Sequence, residues 1–374
     1  MRHARFDRMG SGNARPARRW STRAIDLARE MDAVRLAADW EQLEPRGNWP
    51  TQTRDFAAAL APLLSGQHQK LLGVRNGIAI TALLPLCRDR RYLARWRMAG
   101  AIELFEPGDL LCADPAAAGP VAAAIRAAHH PLSLDRISRD SPLVPALRRA
   151  MRGRGWVSVR PAMPCPMIPL GESWRDPESR FNAGRRSDFR RAARRAEAIG
   201  PVTFETLAPG PADFDALFDE AIGVELRSWK REAGSALAVD RRRETFFRRF
   251  FRSAAARGTF RLSFMRIGGE AVAMQLALLW AGRYWLFKIG HDDRFGKCSP
   301  GTLLMLHTLR WAAEQGLESY ELLGETEVWI TRFWTQEQRD CVRVRTYPFT
   351  PPGLAALLAD GLFWLRHRLG RAAR

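Results

Sequence analysis

The stretch that decides the fold runs from Arg283 to Gly324: RYWLFKIG (283–290), HDDRFGKCSPGT (291–302), LLMLHTLRWAAEQG (303–316) and LESYELLG (317–324). It reads as strand, polar loop, helix, strand. The first segment is rich in aromatics and ends on Gly290, while Leu303, Leu304, Leu306, His307, Leu309 and Trp311 give a mostly apolar helix that stops at Gly316. Pro300 and Gly301 suit its first turn, and Ser299 its N-cap. A strand that hands a loop to a helix N-terminus aims backbone N–H groups and the positive end of a dipole into a cleft, where a phosphate binds well. Lys297 adds a full charge there. No G-x-x-x-x-G-K-[ST] occurs, so this is not a Walker loop, and the same residues also suit an ordinary well-capped helix.

Working outward, the same order of elements occurs twice. Downstream of Gly200 come a strand (Val202–Leu207), two helices (Asp213–Trp229, Arg242–Ala256) and three strands (Phe260–Ile267, Ala271–Trp280, Arg283–Ile289) turning at Gly268-Gly269 and Ala281-Gly282. The apolar helix, a strand at Ser319–Leu323, a helix near Glu327–Gln338 and a strand at Cys341–Pro348 complete the set. Upstream, a strand (Thr22–Arg29) and two helices (Met31–Leu43, Asp55–Leu64) precede three strands (Lys70–Arg75, Ile78–Pro85, Trp96–Phe105), the first two joined at the hairpin signal Asn76-Gly77. Then follow a helix (Ala116–Ala128), a strand (Leu132–Ile137), a helix (Pro142–Arg152) and an extended, Pro-rich exit (Trp156–Leu170).

The expected fold is therefore α/β (α+β): tandem domains, each a central mixed, mostly antiparallel sheet flanked by helices. The divisions are a basic flexible arm at 1–21, a first domain at 22–170, an Arg-rich linker helix at 171–200, a second domain at 201–350 and a basic amphipathic helix at 351–374. Two sheets packed side by side are predicted, with the usable cleft in the second domain. The counterpart loop, Leu111–Ala118, offers Asp114 where a phosphate would need a cation.

Composition narrows the function classes. Five cysteines at 87, 112, 165, 298 and 341, without C-x-x-C, argue against a disulfide framework or structural zinc and for a reducing, cytoplasmic setting. No run approaches the roughly 18 apolar residues of a membrane span. The net charge of +19 permits nucleic acid or anionic membrane as partner without requiring either. Of 59 basic residues only Lys70, Lys230, Lys288 and Lys297 are lysines, a skew toward Arg that draws attention to three lysines between 230 and 297. The helix at 178–199 carries seven arginines over a thin apolar stripe, either a solvated face or a phosphate-contacting one.

These motifs together resemble the Gcn5-related N-acyltransferase (GNAT) superfamily, and more closely BioF2-like and CelD-like acetyltransferase-domain proteins, relatives of the FemAB peptidyltransferases. The residues that carry the resemblance are the arginine pairs at 185–186, 190–191 and 194–195, Ser228-Trp229-Lys230, Lys288-Ile289-Gly290-His291-Asp292, Ser299-Pro300-Gly301-Thr302 and Glu321–Glu325. The match spans most of residues 150–345, and the first half is similar to a degenerate copy. Two departures stand out. Trp329-Ile330 takes the place of a Tyr-Lys pair, and Arg294–Gly301 replaces the usual pyrophosphate loop.

The resemblance implies transfer of an acyl group, such as acetyl, from acyl-CoA to a small-molecule, sugar-amine or peptide amine by direct attack on the thioester. Such chemistry needs alignment, a deprotonated amine and donors aimed at the oxyanion. On this reading Ile289 and Gly290 face the thioester. Lys297, Ser299, Gly301 and Thr302 hold the pyrophosphate, and Trp229, Lys230 and Trp329 face the acceptor, with Lys288 beside them. His291 and Asp292 either relay a proton or cap the turn, Glu325 is an alternative base, and Tyr284 or Tyr320 either protonates the thiolate or packs in the core. The alternatives are a FemAB-like transferase using aminoacyl-tRNA, and a non-catalytic GNAT-fold scaffold linked to polysaccharide or envelope biosynthesis. The tail after Gly353 either docks on the last sheet or lies on an anionic membrane.

Overall fold

The computed structural model describes residues 20–25, 34–90, 93–228, 234, 237–324 and 326–372. The doubled order of elements is present in it. The first repeat comprises β1 (Trp20–Ile25), α1 (Val34–Leu43), α2 (Arg54–Leu63), β2 (His68–Asn76), β3 (Ala79–Arg88), β4 (Trp96–Met98), a two-residue β5 (Leu111–Cys112), α3 (Ala118–Ala127), β6 (Leu132–Ser138), α4 (Leu143–Met151) and β7 (Gly155–Pro169). After α5 (Ala183–Glu197) come β8 (Val202–Leu207), α6 (Phe214–Leu226), α7 (Arg241–Ala256), β9 (Phe260–Ile267), β10 (Glu270–Trp280), β11 (Arg283–His291), α8 (Pro300–Glu314), β12 (Ser319–Leu322), α9 (Val328–Phe333) and β13 (Gln338–Pro348). The helix α10 (Pro351–Ala372) follows.

The two sheets expected side by side are one. Thirteen strands form a single sheet, β1-β2-β3-β4-β6-β13-β7-β12-β11-β10-β9-β8, with β5 on β3. The last strand of the first repeat, β7, pairs with β12 of the second (Pro169↔Ser319), and the last strand of the second, β13, pairs with β6 of the first (Val344↔Leu134). Each repeat thus lends its final strand to the other, and β7 and β13 pair with one another from Gly155↔Pro348 to Pro166↔Gln338. Read from either edge, the sheet has the same internal order. Only β4–β6 and β11–β12 are parallel among the described pairs, and each is joined by a helical crossover, α3 and α8.

The Pro-rich exit is therefore a central strand. Prolines are confined as a rule to edges and bulges because they cannot donate to the ladder. Here Pro164 falls where the β7–β13 register shifts between Arg339 and Cys341, and its carbonyl accepts the Thr326 hydroxyl at 3.1 Å. Other boundaries also move. The strand predicted at 96–105 stops at Met98, where Gly100 turns the chain with φ +81°. The helix predicted from Glu178 starts at Ala183, because the Asn182 side chain caps the Arg185 N–H at 2.9 Å, and Arg180 stays outside it over the Trp174 ring. The basic arm falls mostly outside the described residues.

One aromatic core binds both repeats on the α6–α7 face. Phe246, Phe247, Phe250 and Phe251 on α7 lie at the helical spacing that makes one buried stripe. They meet Phe287 of β11 and, from the other repeat, Phe56 of α2, whose ring is 5.1 Å from Phe246 and 5.2 Å from Phe250, both edge-on. Each such ring contributes about 1.5–3 kcal/mol of burial, so the repeats are held by more than shared strands.

Candidate active site in the second repeat

β11 and β12 run in parallel from Arg283↔Ser319 to Leu286↔Leu322 and then part. The last bond across the pair is from the Leu323 N–H to Leu286 O, at 3.2 Å. β11 continues to His291 without β12 beside it. A bulge at Phe287, where the register with β10 passes from Leu286↔Ala277 to Lys288↔Leu276, shifts the alternation of the strand. The Asp292 N–H donates to Val272 O on β10 at 2.8 Å. Counting back by two, the backbones of Gly290 and Lys288 face β10 and those of Ile289 and His291 face the gap.

Into the same gap opens the first turn of α8. The turn at Asp293–Cys298 delivers the chain to Ser299, which has the left-handed conformation (φ +47°), and Pro300 then starts the helix. The Thr302 and Leu303 N–H groups return to Ser299 O, whereas the Gly301 N–H has no acceptor among the described residues. Expectation and structure differ on the cap: the Ser299 side chain does not cap the helix. A Cβ at Gly301 would lie 3.7 Å from His291 Nδ1, so the imidazole faces this turn.

Between them lies a cleft of about 580 Å³, within the range of small-molecule sites. Ile289, Gly290, His291, Ser299, Gly301, Thr302 and Trp329 line it. Ser228, of the Ser228-Trp229-Lys230 motif, lines it at the end of α6, and sequence reasoning missed its other walls: Gln275 and Met305 at the floor, and Glu327 with Trp334 on the far side. Glu327 Oε2 accepts the Trp329 Nε1–H at 2.6 Å, which sets the indole against the opening. The Glu-x-Trp spacing at 327–329 was a signal that could have found this pair. His291 Nε2 lies 3.4 Å from Asp293 Oδ1.

The remaining predicted residues sit elsewhere. Asp292 is fully buried and does not line the cleft: it accepts Arg227 Nε at 2.5 Å and Arg294 Nη2 at 2.7 Å, and its Oδ1 caps the Arg294 N–H. Burial alone would raise its pKa, but the hydrogen bonds of Arg294 and Arg227 hold the carboxyl below the usual range. Tyr284 and Tyr320 stack at 4.5 Å in the core, and burial pushes both hydroxyls up. Tyr320 donates to Gln275 Oε1 at 2.9 Å and so supports the cleft floor from behind. Lys288 points to the α7 face, over the Phe247 ring at 4.6 Å, because the bulge turns Phe287 and Lys288 to the same side. It faces Glu106 of the first repeat, whose carboxyl burial pushes up against the pull of Lys288 and Arg136. Lys297 is exposed at the rim, and its carbonyl accepts Arg195 Nη1 of α5 at 3.2 Å. Trp229, Lys230 and Glu325 lie outside the described residues.

The same position in the first repeat is different. Asp114 caps the turn before α3, accepting the Ala116 N–H at 2.8 Å. Phe105–Asp109 fill the space beyond β4, with only about 20 Å³ left beside Glu106 and Asp109.

Comparison with known proteins bears on this arrangement of splayed strands and helix N-terminus. Residues 183–330 match the family model of the acetyltransferase (GNAT) domain. Solved structures of similar fold include FemX (9% identity, 84% of this chain and 96% of that chain covered, TM-score 0.55). A conserved protein of unknown function from Bacteroides thetaiotaomicron is similar too (9% identity, 83% and 96% covered, TM-score 0.52). So is the C-terminal DUF2156 domain of an Agrobacterium fabrum protein assigned as a lysylphosphatidylglycerol synthetase (12% identity, 87% and 95% covered, TM-score 0.50). At these identities the likeness is one of fold. No curated protein matches the sequence.

Proposed function

We propose that the second repeat transfers an acyl group from acyl-CoA to an amine, and that the cleft between β11 and α8 is where it does so. The observation that carries this reading is the meeting, in one cleft, of the end of β11, past its last pairing with β12, and the N-terminus of α8 at Gly301. The two features suit the two ends of an acyl thioester: the strand end its carbonyl, the helix end its pyrophosphate.

In the proposed reaction the amine nitrogen attacks the thioester carbon, and the backbone around Lys288–Gly290 faces the developing oxyanion. The C–S bond then breaks, and the thiolate leaves with a proton drawn from solvent. His291, held by Asp293, accepts the ammonium proton through water. Gly301 and Lys297 carry the phosphates, and Lys288 approaches the acceptor from the opposite face of β11. Trp329, set by Glu327, covers the pantetheine arm.

A thermal-shift series with acetyl-CoA, longer acyl-CoAs and tRNA tests the reading. A ligand at 100 times its Kd stabilises by about 2.7 kcal/mol. Stabilisation by an acyl-CoA supports it. The exposed Arg190 and Arg194 on α5, beside the α8 turn, favour a second reading in which the donor is an aminoacyl-tRNA. Stabilisation by tRNA alone, lost with added salt, would establish that one instead.

A further inference from the structure

The first turns of α10 are fastened to the sheet. Asp360 accepts Arg95 Nη1 and the Tyr347 hydroxyl, each at 2.6 Å, and lies 3.0 Å from Arg345 Nη1, while Arg95 Nη2 donates to Ala356 O at 2.9 Å. At Gly353 a Cβ would meet Pro348 O at 2.0 Å, so the helix sits directly on the strand end. Past Asp360 the docking stops. Leu362, Phe363, Trp364 and Leu365 are 47–64% exposed, and Leu358, on the same face as Leu362 and Leu365, is 68% exposed. Burial of this helix on the last sheet is thus realised only in its first half.

The overhang has a consistent chemistry. After Asp360 the sequence holds four arginines and no acidic residue. Under it, a groove of about 370 Å³ runs between Phe363 and Trp364 on the helix and Arg160, Arg343 and Arg345 on the sheet. Trp156 and Phe349, both about half exposed, meet edge-on at 4.9 Å near the start of α10. No helix among the described residues is long and apolar enough to cross a membrane. Apolar side chains at helical spacing, with arginines and no acid past Asp360, make a surface that lies in a headgroup layer.

From this we infer that α10 docks the protein on an anionic phospholipid bilayer, with Leu358, Leu362 and Leu365 below the phosphates and Arg366 and Arg368 at their level. Charge selects the bilayer over a second copy of the chain. A two-fold pairing of α10 would set the same arginines against each other with no carboxylate beyond Asp360 to offset them, whereas a phosphatidylglycerol surface neutralises them.

Flotation of the full-length protein with phosphatidylglycerol-containing and pure phosphatidylcholine vesicles tests this. Binding to the anionic vesicles, lost at about 0.5 M salt where screening is short-ranged, is expected. The triple variant Leu358→Glu, Leu362→Glu, Leu365→Glu should lose binding by about tenfold or more, with its melting temperature unchanged because these side chains are exposed. The variant Arg366→Glu, Arg368→Glu should weaken anionic binding alone. Equal flotation of parent and triple variant overturns the inference. So does a parent that floats with neither vesicle, or one that sediments as a dimer which the triple variant dissociates.

Discussion

Replacing Asp292 by Asn separates a structural role from a chemical one. The carboxylate ties the end of β11 to Arg227, just past α6, and to Arg294 in the turn before α8, so it joins three segments that frame the cleft. Asn keeps the cap on the Arg294 N–H but offers the guanidinium groups a neutral acceptor. A hydrogen bond to a charged group is worth about 1.5–3 kcal/mol. The arginine side chains are 38% and 61% exposed, so solvent screening lowers the loss to about 1–2 kcal/mol. With an unfolding entropy of about 2.1 cal/mol/K per residue over this chain, the melting temperature should fall by about 2 °C at pH 7. The pH dependence has a definite sign: the folded pKa lies below the unfolded one, so the parent's advantage is complete above the unfolded value and fades as pH falls below about 4. Calorimetry at pH 7 and pH 3 measures both. An unchanged melting temperature together with a loss of acyl transfer of a hundredfold or more would refute the clamp and restore Asp292 to the chemistry.

Other expectations follow from the same geometry. Lys297→Ala should weaken acyl-CoA binding in calorimetric titration and Lys297→Arg should partly restore it, since the charge returns but the geometry of a guanidinium differs. His291→Gln should lower turnover by about a hundredfold while the acyl-CoA dissociation constant stays put. Lys288→Ala should likewise spare acyl-CoA binding and reduce turnover. Asp109, buried and with a pKa pushed up to about 7, is favoured protonated in the folded state. Stability should therefore decline as pH rises from about 4 to 7, and Asp109→Asn should flatten that decline in urea titrations at pH 5 and pH 8.

Where local pattern sets structure, the sequence was legible. The strand–loop–helix–strand at 283–324, the hairpins at Asn76-Gly77 and Gly268-Gly269, and the doubled order of elements all rest on periodicity and turn chemistry within a few residues. The shared sheet was not legible, because strand exchange is a pairing between residues some 180 positions apart and leaves no local trace. Prolines at 161, 164, 166 and 169 further argued against a central strand at the one place where recognising it would have joined the halves. At the site, the cleft-lining stretch 289–302 follows from the loop alone. The side-chain directions of Lys288 and Asp292 do not: one depends on the bulge at Phe287, the other on Arg227, distant in sequence. Glu327 was not legible because its part in the cleft depends on the Trp329 indole that it orients.

The exchange of final strands also orders events in time. A ribosome delivers β13 more than 150 residues after β7, yet β13 belongs between β6 and β7, in the middle of the finished sheet. Until it arrives, β6 has an open flank, and its hydrogen-bonding groups are available to any strand that passes. The nascent first repeat therefore cannot reach its final form during its own synthesis. Closure waits for the last part of the chain, at high contact order and correspondingly slow rate. A holdase bound during that interval, or a low growth temperature on overexpression, should raise the soluble yield more than any stabilisation of the completed fold.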